Sequence, residues 1–263
     1  AQSSNSNDIV VTVEGLGADT VFLANYYGSR LFYSDTTVAD VNGHFVFKGK
    51  PFDECGKYAV VLPGPVFFDM MLVSEPMEFR TTMKNPQGDM QIIQSEENKV
   101  FYDYLNFLNS KREERTPHDA VLNDSAASPL KVEIARNAMT VMNSEVLEYQ
   151  DALIDDPRDY LFGKYLGMLR EPQVPNAPSN VEDVRFWNYM WYRDHYWDRV
   201  DFADSRLVRD GSFHNMIEMW WGQIIPPDPD TLFFEAKKLL AQVVGNEDMF
   251  KYILHHMTFE SES

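Results

Sequence analysis

The spacing of apolar residues changes once along this chain, near Ser95. Before that point they alternate in short runs broken by Gly, Pro, Asp and Asn; after it they recur at steps of three and four. A period of 2 puts one face of a strand into a core, and a period near 3.6 does the same for a helix. The sequence therefore predicts a segregated α+β protein. An N-terminal antiparallel β-sandwich domain over residues 1–94 precedes an all-α helical bundle domain over residues 95–263.

At 263 residues, 44% hydrophobic and 14% aromatic, the chain has ample material for two cores and argues against disorder. Its formal net charge of −18 opposes both a phosphate backbone and an anionic lipid surface, so nucleic acid is excluded as a partner. The longest apolar stretch, Val60 to Val73, is broken by Pro63-Gly64-Pro65 and Asp69. A membrane-spanning helix needs about 20 apolar residues in a row, and none is expected. Cys55 is the only cysteine, which rules out an internal disulfide and a resolving thiol pair. Its acidic neighbours Asp53 and Glu54 would raise a thiol pKa, so a structural role is expected. The polar start Ala1 to Asn7 reads as a mature start after signal-peptide removal, or as a trimmed one. An exported protein of the periplasm or cell envelope is the expectation.

In the first half, Ile9, Val11 and Val13 alternate with polar or outward positions, and Thr20 to Tyr27 is dense in β-branched and aromatic residues. Asn42-Gly43, between Val38-Ala39-Asp40-Val41 and His44-Phe45-Val46-Phe47, predicts a hairpin, because both turn residues accept positive φ. His44 then flanks that turn in solvent. Tyr58–Leu62, Val66–Val73, Met77–Thr82 and Met90–Ile93 complete seven or eight short strands, the pattern of a sandwich or barrel. Gly43 to Lys50 lacks the glycine and hydroxyl of a phosphate loop.

In the second half, Ser95 caps a helix with Glu96 and Glu97 in its first turn and Lys111, Arg112 and Arg115 towards its end. Ser128-Pro129 opens a second helix, whose stripe Val132, Ala135, Met139, Met142, Val146, Tyr149 and Leu153 favours packing within the chain over a coiled-coil dimer. Further helices are expected at Asp156-Pro157, after the Pro-rich spacer 172–178 at the capping box Ser179–Glu182, and at Ser212, Asp228-Pro229 and Asn246, with Gly245 as a stop. The helix from Phe186 to Asp198 is aromatic on most faces, so it sits at the centre of its bundle or meets a partner. Trp187, Trp191, Tyr192, His195 and Trp197 are the candidate partner-binding residues. Steps of 4 and 6 spread the three indoles around the helix, so at least one should meet solvent, a groove or another domain.

No catalytic set emerges. His195 lacks a nucleophile beside it, and the adjacent His255 and His256 diverge on a helix. His214 and Glu218, at i and i+4, read as a polar pair, since two ligands do not make a metal site. No cofactor or metal is expected.

The segments Asp40 to Gly49, Ser95-Glu-Glu-Asn98, His195 to Phe202 and Phe213-His-Asn215 resemble the N-terminal accessory region of Bacteroidetes thioredoxin-like disulfide reductases. The similarity spans nearly the whole chain and its motifs are structural. It implies a β-sandwich domain of unknown function followed by a helical one, with a thioredoxin domain carrying Cys-x-x-Cys after Ser263. Redox chemistry would then lie outside this chain. The implied role is a non-catalytic accessory module that binds a protein or peptide client or positions the downstream thioredoxin-like domain. The alternative is a free-standing periplasmic protein that binds a glycan or peptide through the aromatic helix.

Overall fold

The computed structural model describes residues 8–49, 51, 54–64 and 66–262. Ala1 to Asn7, the expected processed start, and Asp53 beside Cys55 lie outside them. The fold is mixed α+β, with strands between residues 9 and 94 and helices from residue 96 onward. The strands are β1 (Ile9–Glu14), β2 (Thr20–Tyr27), β3 (Arg30–Val38), β4 (His44–Phe47), β5 (Gly56–Leu62), β6 (Val66–Leu72), β7 (Met77–Thr82) and β8 (Gln91–Gln94). They form two four-stranded sheets, ordered β4-β1-β7-β8 and β3-β2-β5-β6, and neither closes into a barrel. Every pairing is antiparallel except β1 with β7. Alternate residues of both sheets, among them Val11, Leu23, Phe47, Val60, Phe68 and Phe79, join one buried apolar cluster.

The expected Asn-Gly hairpin is corrected. The turn is there: the Asp40 carboxylate accepts the N–H groups of Asn42 and His44 at 2.8 and 3.0 Å. Gly43 adopts φ +74°, and a Cβ on it would stand 2.1 Å from the Val13 carbonyl oxygen. The flanking strands, however, belong to different sheets, β3 pairing with β2 and β4 with β1. A turn signature fixes the local reversal; which ladder each arm joins is decided by burial. Val38 and Val41 stay exposed while Phe45 and Phe47 enter the core, so the turn switches sheets. Consecutive strands do pair as hairpins elsewhere, β2 with β3 around Gly28-Ser29, β5 with β6, and β7 with β8.

The helices are α1 (Glu96–Asn123), α2 (Pro129–Ile154), α3 (Leu161–Met168), α4 (Val184–Asp194), α5 (Gly211–Met219), α6 (Pro229–Gln242) and α7 (Glu247–Glu262), with a 3₁₀ turn Ser205–Arg209 and a π turn Trp220–Ile224. Ser95, Ser128, Asp228 and Asn246 cap their helices as the sequence predicts. Three starts and one end differ. α1 runs through Pro117 to Asn123, on a stretch, residues 112–117, that is exposed throughout. Lys111 therefore sits mid-helix, paired with Glu114 and Glu145. α3 starts at Leu161, not at Asp156-Pro157; α4 is capped by Asp183, not by Ser179–Glu182; and α5 is capped by Asp210.

The two parts meet along β6. The Asn98 side chain, fully buried, accepts the Met71 N–H at 2.8 Å and donates to the Met71 carbonyl at 2.7 Å. One turn on, the Tyr102 hydroxyl donates to the Asp69 carbonyl at 2.8 Å. Met71 faces the helical core while its neighbours Met70 and Leu72 face the sheet core. Glu97 turns the other way and accepts the Leu161 and Phe162 N–H groups at 3.1 and 2.7 Å, capping α3 from a distant helix. The 3₁₀ turn is fixed by Asp204, whose buried carboxylate holds Arg206 at 2.6 Å and Lys164 at 3.2 Å.

Asn98→Ala should cost about 3 kcal/mol in urea unfolding, because it orphans both buried Met71 backbone groups. Burial opposes ionisation of Asp204, but Arg206 and Lys164 outweigh it and hold its carboxyl below the ordinary range. A depressed carboxyl stabilises the fold above its unfolded pKa, near 4, and loses that contribution as pH falls through the lower folded value. Asp204→Asn should therefore lose about 2–4 kcal/mol at neutral pH, and the difference from wild type should shrink in urea titrations below about pH 4.

Candidate functional site

The five candidate aromatic-helix residues do not share a surface. No residue of α4 is fully buried, so this helix is not the centre of a bundle. Trp197 lies beyond its end and is 8% exposed, packed edge-on against Trp220 and beside Phe202. Trp187 and Trp191 are half-buried. The Trp191 indole stacks on the His195 imidazole at 3.9 Å, and His195 Nδ1 lies 2.8 Å from the Trp191 carbonyl oxygen. Tyr192 lines a cavity of about 190 Å³ with Tyr196, Met168 and Met216. Tyr189 and Tyr196 donate their hydroxyls to the Ile224 and Met216 carbonyls. Trp187 and Trp191 thus meet the expectation that some indole stands outside the core, whereas Trp197 does not.

A larger groove, about 630 Å³, opens where the β2–β3 hairpin meets α5 and α7. Tyr27, Gly28, Arg30 and Phe32 line it from the hairpin, and His214, Glu218, Lys251, Tyr252 and His256 from the helices. The hairpin tip is bolted down: the Gly28 N–H donates to the Val208 carbonyl at 3.1 Å, and Tyr27 meets Tyr252 edge-on at 5.3 Å. Gly28 has φ +57°, and a Cβ there would fall 2.3 Å from the Tyr252 hydroxyl oxygen.

Within this groove the structure adds His256 to the His214–Glu218 pair that the sequence showed. His256 Nε2 lies 3.0 Å from Glu218 Oε1, and His214 Nε2 lies 4.0 Å from the same oxygen. The two imidazoles stand perpendicular with centroids 5.3 Å apart. His214 Nδ1 is 2.9 Å from the Tyr252 hydroxyl. Burial first, then Tyr27 and Glu218 nearby, pushes that phenol well above its usual pKa and keeps it protonated. The His214–Glu218 pair was visible as an i, i+4 step. The signal for the third member was the same step on another helix, Tyr252 to His256, which puts both on the face that packs against α5.

Cys55 is buried, with its Sγ 3.6 Å from the Pro51 carbonyl oxygen and 3.8 Å from Ser74 Oγ. No helix is long and apolar enough to cross a membrane among the described residues. The chain matches no family model, and no curated protein matches it significantly. The segments 40–49, 95–98, 195–202 and 213–215 form the sheet-switching turn with β4, the β8–α1 junction, and the packing around Trp197 and Phe213.

Trp191→Ala should remove a half-exposed stack, at a cost below the roughly 3–5 kcal/mol of a core Trp→Ala. Trp197→Ala should fall within that range. Chemical denaturation of both variants checks the order.

Proposed function

We propose that this chain is a non-catalytic, exported binding module, a β-sandwich with a helical layer docked on one sheet, that receives an extended segment of a protein or peptide client. In this reading it serves a thioredoxin-like domain that supplies the redox chemistry, as its resemblance implies. The observation that carries the binding role is the edge of β3. Residues 30–34 are exposed in succession, with Leu31 at 46%, Phe32 at 47% and Tyr33 at 68%. Among the described residues, β3 pairs only with β2. An open strand edge offers main-chain donors and acceptors to an incoming strand, and the adjoining groove offers side-chain discrimination. The opposite edge of the same sheet is already covered by Asn98 and Tyr102.

A second reading, glycan or peptide binding on the aromatic helix, is favoured by Phe186, 60% exposed, beside half-buried Trp187 and Trp191.

Peptides selected on the wild-type protein from a random-sequence display library should bind Phe32→Asp roughly tenfold or more weakly. They should bind Phe67→Asp unchanged, although Phe67 on β6 is 53% exposed. Failure to select any peptide, or equal loss in both variants, rejects the β3 edge. Loss confined to Trp187→Ala or Trp191→Ala moves the site to α4.

A further inference from the structure

We propose that His214, Glu218 and His256 bind a late first-row divalent metal ion, Zn²⁺ as the probe, on the wall of the groove beside the β2–β3 hairpin. The ligating atoms all lie within 4.8 Å of one another. Donors about 2.1 Å from a tetrahedral ion stand about 3.4 Å apart. Glu218 and His256 are already at 3.0 Å, and His214 stands 4.0 Å from Glu218. Glu218, its side chain 45% exposed, is free to close its own gap to His214, while the two imidazoles draw together chiefly through His214, which at 21% exposure has more room than His256 at 9%. Two imidazoles and one carboxylate suit Zn²⁺ and its neighbours over Ca²⁺ or Mg²⁺, which prefer oxygen donors.

The surroundings fit a ligand role for His214. Its Nδ1 faces the Tyr252 hydroxyl at 2.9 Å, and donation of the Nδ1 proton to that oxygen leaves the Nε2 lone pair directed at the cluster. Tyr252 lies close under Gly28, where a Cβ would fall 2.3 Å from its hydroxyl oxygen. The cationic groups on the same groove are Arg30 and Lys251, and Lys251 is occupied by Glu247 at 2.5 Å. Three protein ligands leave a fourth position for water or a group from whatever enters the groove, as in open zinc sites. Without metal, the same residues make a His–Glu–His polar cluster joining α5 to α7, and that is the reading the experiment must separate.

Untagged full chain, stripped with chelator, is titrated calorimetrically with Zn²⁺ alone, and Co²⁺ loading is followed by its visible ligand-field bands. The expected result is a single saturable ion per chain, with four-coordinate Co²⁺ bands. Glu218→Gln should weaken binding by roughly tenfold or more, His256→Ala should abolish it, and Tyr252→Phe should weaken it about tenfold as a positioning residue. His118→Ala, on α1, should leave it unchanged. Circular dichroism and melting curves accompany each variant; if His256→Ala does not fold, Glu218→Gln decides, since it keeps size and sits at the surface. No saturable Zn²⁺ binding by the wild type, or binding that survives Glu218→Gln or is lost equally in His118→Ala, overturns the site. Because the probe is the ion alone, its outcome is independent of whether a peptide binds the β3 edge.

Discussion

One side-chain amide sets how the two parts of this molecule meet. Asn98 presents its carbonyl and its NH₂ to the N–H and C=O of Met71, as the next strand of the sheet would. A last strand otherwise carries a row of unpaired backbone groups. Here α1 closes that row with Asn98 and, one turn later, with Tyr102. The same helical turn has two further tasks. Ser95 caps it while donating to Glu75, and Glu97 caps α3. The placement of α3 in turn places Tyr165, whose hydroxyl donates to the Arg206 carbonyl in the 3₁₀ turn that rests on the sheet. A shift of α1 along β6 would have to break all of these bonds together.

The change of period at Ser95 was legible because it rests on many residues, each contributing the same weak preference. Helix caps were legible where donor and acceptor lie within four residues of each other, as at Ser95, Ser128, Asp228 and Asn246. The caps Asp183 and Asp210 are just as local but were passed over for the neighbouring Ser179 and Ser212, and the start of α3 was missed because its partner is remote. α3 begins at a tyrosine with no capping side chain of its own, and its first N–H groups go to Glu97, 64 and 65 residues earlier. No local pattern could say so, and Asp156-Pro157 offered a better-looking but unused start, in which Asp156 holds Arg158 instead. The Asn-Gly turn shows the same boundary between local and tertiary information. Its conformation was readable, but its sheet assignment was not, because that depends on β1 already lying beside β4.

Site residues were less legible than the fold for a related reason. Aromatic density around α4 marked candidates spread around one helix without saying which indole turns inward; the chain leaves helical geometry at His195 and buries Trp197, separating it from Trp187 and Trp191. Aromatic content alone does not distinguish a binding face from a seam that needs bulk to fill it. The His–Glu–His cluster failed in the opposite direction. Each fragment was common enough to dismiss, and only the packing of α7 against α5 made them neighbours.

The hairpin tip explains why the edge strand and the helical groove belong to one surface. Gly28 is fastened to the Val208 carbonyl and lies against the Tyr252 hydroxyl, so β3 leaves its turn at an angle fixed by the helices. A strand added to β3 would gain main-chain bonds that are indifferent to sequence. Its side chains on the groove side would meet Arg30, Phe32, Lys251 and the His214 cluster, which are not indifferent. A free-swinging hairpin would offer the first kind of contact without the second. Fixing it at Gly28 makes both available to the same ligand, and it does so at a position where any residue with a Cβ would push Tyr252 away from His214.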